Sequence, residues 1–160
     1  MSILTTTGRA AIATAFKNET LHIAWGTGDP SWDTENIREA REATGLTNEI
    51  GRRKITVVEY CEPSETGDII MRGAIFRKST TPTPHIHLRA DFDFDDGVGE
   101  TIRELGVFIG TVALSTVPKG KRYLKPNELQ NRGILLALDH ITKIERGVAS
   151  RISFDFVITF

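Results

Sequence analysis

The most regular alternation of hydrophobic and polar positions in the chain is HIHLRADFDFD at 85–95. Ile86, Leu88, Ala90, Phe92 and Phe94 fall on one side of a period of two. His85, His87, Arg89, Asp91, Asp93 and Asp95 fall on the other. That spacing predicts a half-buried antiparallel strand. SRISFDFVITF at 150–160 reads the same way, with Ile152, Phe154, Phe156, Ile158 and Phe160 sharing a face. KITVVEYC (54–61) and IIMRGAIF (69–76) are strand-like runs joined by the turn sequence SETGD (64–68), which predicts a hairpin. TIRELGVFIGTVAL (101–114) reads as a long strand bent at Gly106 or Gly110, and GILLALDHI (133–141) as another. Between them, Pro118, Gly120 and Pro126 among basic and polar residues predict a long exposed loop over 115–132.

The N-terminal third changes period. TTTGRAAIATAFK (5–17) predicts a short helix capped by Thr7, with Ile12 and Phe16 on one stripe. TLHIAW (20–25) reads as a strand. Asp33 or Thr34 then caps a second predicted helix, with Ile37, Ala40 and Ala43 on one face and Gly45 as its stop. Strands that follow one another without intervening helices argue against a parallel sheet. The predicted class is α+β, mainly β, with two N-terminal helices packed on an antiparallel β-sheet or β-sandwich. A length of 160 residues suits a single domain over 1–160.

Composition narrows the function classes. Hydrophobic residues make up 39%, charged residues 26%, and the formal net charge is −1, with no basic stripe. Nucleic acid and anionic membrane are therefore not expected partners. No run reaches the ~18 apolar residues of a membrane span. The first residues lack the basic and then apolar order of a signal peptide, so synthesis in a cytoplasm is expected. The single cysteine, Cys61, reads as a small apolar residue ending a strand.

Candidate chemistry begins with AWGTGDPSWD (24–33), which holds both tryptophans of the chain. Gly26-x-Gly28 is not a dinucleotide fingerprint, because Ser31 stands where the third glycine belongs and Asp29 would repel a phosphate. The stretch reads as a corner. Gly26 and Gly28 permit the turn, Asp29-Pro30 fixes it, and Trp25 anchors it to the core. Trp32 either packs the second helix on the sheet or grips a neighbouring subunit. His85-x-His87 has the spacing of two metal ligands on one strand face, yet two ligands do not make a site. DFDFDDGVGE (91–100) fails the calcium-loop pattern, with Asp96 in place of the turn glycine and Ile102 in place of the last glutamate. No nucleophile elbow is present. The predictions are no catalytic residue, no cofactor and no metal. Two rivals remain: a small β-barrel metal-dependent enzyme using His85 and His87, and a carbohydrate-binding module stacking sugars on Trp25 and Trp32. The candidate interaction residues are Trp32 and the basic cluster Lys119, Lys121, Arg122 and Lys125, which suits an acidic partner.

Four stretches, taken in order, carry a resemblance. They are LTTTGRAAIATAF, LHIAWGTGDP, the spaced set Ile102, Glu104, Gly106 and Phe108 in IRELGVFIG, and the closing ASRISFDFVITF. Together they resemble small virion proteins of tailed bacteriophages, namely the N-terminal domains of tail-collar fibre proteins and baseplate proteins. The resemblance implies a structural tail or baseplate component that serves assembly or fibre attachment without catalysis. Its implied partners are other tail or baseplate proteins and further copies of itself, in the virion, after synthesis in the host cytoplasm. A collar fibre continues into a repetitive shaft, so a stand-alone baseplate or tail subunit is expected instead. The helix at 5–17 and the loop at 115–132 are the expected assembly surfaces. Deleting 117–127 is expected to block assembly and leave a folded monomer.

Overall fold

The structure, a computed structural model, describes residues 2–35 and 37–160. In chain order the elements are α1 (Thr6–Lys17), β1 (Leu21–Gly26), a 3₁₀ turn (Pro30–Asp33), β2 (Glu49–Lys54), β3 (Val57–Pro63), β4 (Ile69–Met71), β5 (Ala74–Lys78), β6 (His85–Phe92), β7 (Thr101–Ile109), β8 (Val112–Ala113), β9 (Tyr123–Leu124), a second 3₁₀ turn (Pro126–Glu128), β10 (Leu129–Asn131), β11 (Ile134–Glu145) and β12 (Ile152–Thr159). The chain divides into two compact units. Met1–Glu19, Ile55–Ala90 and Ser153–Phe160 form one, and Thr20–Lys54 with Asp91–Ile152 form the other.

The first unit contains a five-stranded sheet in the order β12-β6-β3-β5-β4. Ile86, Leu88 and Ala90 of β6 are fully buried, as their alternation predicts. Cys61, Ile69 and Phe76 make a small apolar cluster with Met71 and Val157 against it. Helix α1 is capped by Thr5 rather than Thr7, its hydroxyl accepting from Gly8 N at 3.1 Å. Its buried face is Ala13 and Phe16, with Phe16 against Phe160 at 5.2 Å, while Ile12 is exposed. The predicted strand 69–76 is a hairpin, β4 and β5, turned at Arg72-Gly73. Gly73 sits at φ +85, which side chains other than glycine rarely adopt.

The second unit contains a five-stranded sheet in the order β11-β7-β1-β2-β9 and a two-stranded ribbon, β10-β8. Its centre is β1, antiparallel to both β2 and β7 and buried at every residue. The strand β2 escaped the sequence reading because EIGRRK is polar. It belongs to the sheet because Arg52 is buried with partners: both Glu49 oxygens at 2.7 Å, the Thr111 hydroxyl at 2.7 Å and the Arg132 carbonyl.

Two further expectations are corrected. The second helix does not form: Asp29 caps only the 3₁₀ turn Pro30–Asp33, and no helix follows among the described residues up to Gly45. Asn36 within that stretch lies outside the described residues. A face of one isoleucine and two alanines buries too little to hold an isolated helix of that length, and Ile37 stays exposed. The segment instead bonds to β11. Glu39 accepts from His140 N at 2.9 Å, and His140 Nδ1 donates to the Ile37 carbonyl at 3.1 Å. The long loop 115–132 is likewise not a free loop. It contains β9, paired to β2 through Arg52↔Leu124 and Arg53↔Tyr123, the second 3₁₀ turn and β10.

Candidate functional site

The corner at 24–28 and the spaced set on β7 are one construction. Along β1 and β7, Ala24 faces Gly106, Trp25 faces Leu105 and Gly26 faces Glu104. Ile102, Glu104 and Phe108 are buried. The Glu104 carboxylate accepts from Thr47 N at 3.0 Å and Asn48 N at 2.9 Å, so it fastens the entry to β2. Gly26 is required because a Cβ there would overlap the same carboxylate and the Asn48 carbonyl. Trp25 is fully buried, stacked on Phe92 at 3.8 Å, with its Nε1 donating to the Tyr123 hydroxyl at 3.1 Å. Burial pushes the Tyr123 phenol up to about 12, so it stays a neutral acceptor.

Trp32 is half-buried. Among the described residues there is no second helix for it to pack, and its ring stacks on the His140 imidazole instead, with centroids 4.0 Å apart and planes 20° apart. Gly28 lies so close to that ring that a Cβ would overlap it, and it sits at φ +56. A sugar platform needs an open aromatic face, and here His140 takes one. Beside it Arg103 holds Asp33 through two nitrogens at 2.7 and 2.9 Å, with Lys143 at 3.4 Å. The Arg103 bond first, and Lys143 next, draw the Asp33 carboxyl down to about 2.

His85 and His87 share a strand face but do not converge. His85 Nδ1 meets the Thr159 hydroxyl at 2.8 Å. His87 is buried between two carboxylates, Nδ1 to Glu59 at 3.2 Å and Nε2 to Asp155 at 2.7 Å. Both its nitrogens are occupied, and Lys78 and Arg89 sit on the same two carboxylates. Among the described residues no group of three or more His, Cys, Asp or Glu is placed to hold a metal ion.

The acidic run 91–96 is answered by arginines. Arg53 pairs with Asp96 and reaches Asp93, and Arg151 holds Asp93 at 2.8 Å. Buried Arg146 donates to the carbonyls of Asp93, Asp96 and Ser150. Glu104, Arg52 and Arg146 carry the polar interior, and only Glu104 was singled out by the sequence. Buried arginines have no local signature, because Arg is a surface residue by default.

Of the basic cluster, Lys121 pairs with Glu128 at 2.5 Å, and Glu128 also accepts from Lys125 N at 2.9 Å. The side chains of Lys119, Arg122 and Lys125 are exposed, and among the described residues none of them forms an ion pair. Leu124, next to them, is buried.

A family model described as baseplate wedge 3 tail fiber network component matches residues 1–160. The chain belongs to that family, and with it to the phage tail and baseplate proteins. A search of curated proteins found no match.

Proposed function

We propose that this chain is a non-catalytic assembly subunit of the baseplate, present in several copies, that helps to fasten the fibre network to its neighbours. The observation that carries the reading is the turn at 118–125. It places Lys119, Arg122 and Lys125 in solvent, none of them in an ion pair among the described residues, while the adjoining Tyr123 and Leu124 are locked into the sheet by β2. Elsewhere Asp33, Glu59, Glu62, Asp93 and Asp155 each hold a cation of their own chain. Free cations on a rigid support suit an acidic partner surface, because little ordering is left to do on binding. Lys121, paired with Glu128, adjoins these charges, whereas Trp32, stacked on His140 of β11 at the other edge of the sheet from β9, offers a separate contact.

The test is the triple reversal Lys119→Glu, Arg122→Glu and Lys125→Glu. The variant is expected to fold with an unchanged melting temperature and to be lost from assembled baseplates. Normal incorporation would overturn the reading. The deletion of 117–127 is no longer a clean test, because it removes β9 along with the cations.

A further inference from the structure

The structure assigns the acidic partner of this basic turn: the turn Ser64–Asp68 of a second copy of the chain. The inference rests on the assembly role proposed above and names the surface the cations meet.

Glu65 and Asp68 are exposed, and neither forms an ion pair among the described residues. Their turn is firmly held. Ser64 N donates to the Ile75 carbonyl at 2.9 Å, and Thr66 N meets the Ser64 hydroxyl at 3.3 Å. Gly67 lies so close to the Phe76 carbonyl that any side chain would collide with it. Next to Asp68, Ile70 is 76% exposed, although it belongs to a strand. A cavity of about 380 Å³ opens there, lined by Asp68 and Ile70 and by the paired group Glu59, His87, Arg89 and Asp155. The surface is thus an apolar side chain and an open recess beside two carboxylates that form no ion pair among the described residues.

The basic turn has the complementary make-up. Lys121 N donates to the Pro118 carbonyl at 3.2 Å, and Gly120 at φ +89 closes the bend. Pro118 is exposed beside Lys119. Lys54, whose N–H donates to the Arg122 carbonyl at 3.0 Å, adds an exposed cation to the same side. The basic turn belongs to one unit and the acidic turn to the other. Two different, complementary patches on one chain make a head-to-tail contact, which propagates as a ring or an array. Exposed ion pairs are individually weak and screened by salt, so free copies associate loosely and repetition strengthens the contact.

Sedimentation of the purified chain over a range of concentrations and salt tests this. Self-association is expected, weakened about tenfold between low and high salt. The reversal Lys119→Glu, Arg122→Glu, Lys125→Glu and the reversal Glu65→Lys, Asp68→Lys should each abolish it. An equimolar mixture of the two variants should restore association, because the native contact survives between unlike chains and the two reversed turns are matched to each other as well. A chain that stays monomeric throughout, or association that survives the Glu65/Asp68 reversal, would overturn the inference. If baseplates reject the basic-turn variant but accept the Glu65/Asp68 variant, the assembly role stands and the acidic partner is a different protein. If they accept both, the assembly role fails as well.

Discussion

At the residue scale, the chain spends its polar side chains on bracing. Glu104 is the clearest case, because one buried carboxylate ties down two backbone N–H groups of the exposed segment that leads into β2. Glu104→Ala removes the acceptor from two donors on exposed residues and empties a buried position, at a cost of ~2 kcal/mol. Glu104→Gln keeps one acceptor oxygen and should lose about half as much. Urea unfolding monitored by tryptophan fluorescence separates the two, and equal losses would show that charge matters more than the acceptor count. Trp32 differs in kind. Trp32→Ala removes a half-buried ring and its stack on His140, costing ~1–2 kcal/mol. The same unfolding experiment checks it, and Trp25 remains as the reporter.

At the element scale, the difference between loop and strand decides which deletions are informative. Removing 117–127 takes out Leu124, which is buried, and Tyr123, whose hydroxyl accepts from Trp25 Nε1. That deletion should lower the melting temperature by about 5–10 °C, of the order of 2–3 kcal/mol, as read by circular dichroism. Charge reversal at Lys119, Arg122 and Lys125 should leave it unmoved. The same comparison shows what the sequence made legible. β6 was readable because alternation is a local signal. The expected long strand 101–114, bent at Gly106 or Gly110, instead breaks at Gly110 into β7 and β8, which belong to different sheets. The corner at 24–28 was readable from local signals too, down to Trp25 as its anchor. The missing second helix was not, because its residues favour helix locally and only their contacts with β11 decide otherwise. Nor was β9, since two residues carry no periodicity and join the sheet only through β2. Pairing across distant segments is where local pattern gives out.

At the scale of the whole molecule, each compact unit holds a histidine that resists protonation, and this sets how the protein answers acid. In the second unit His22 is buried, its Nδ1 has no hydrogen-bond partner among the described residues, and burial, then Arg52 and Lys54, lower its pKa to about 4. In the first unit burial also lowers His85. The unfolded chain takes up these protons near pH 6.5, while the folded chain does not. Stability is therefore complete above pH 6.5 and falls as the pH drops, for His22 until about pH 4, where the folded state is protonated too. The His22 contribution to that loss is roughly 3 kcal/mol. Carboxylates such as Asp33, held at about 2, act only below this window. Both tryptophans lie in the second unit, so their fluorescence reports the unit that holds His22. His22→Gln should flatten the fluorescence-detected urea midpoint between pH 6.5 and 4.5, whereas His85→Gln should leave that slope in place. A slope unchanged by His22→Gln would assign the acid response to other groups.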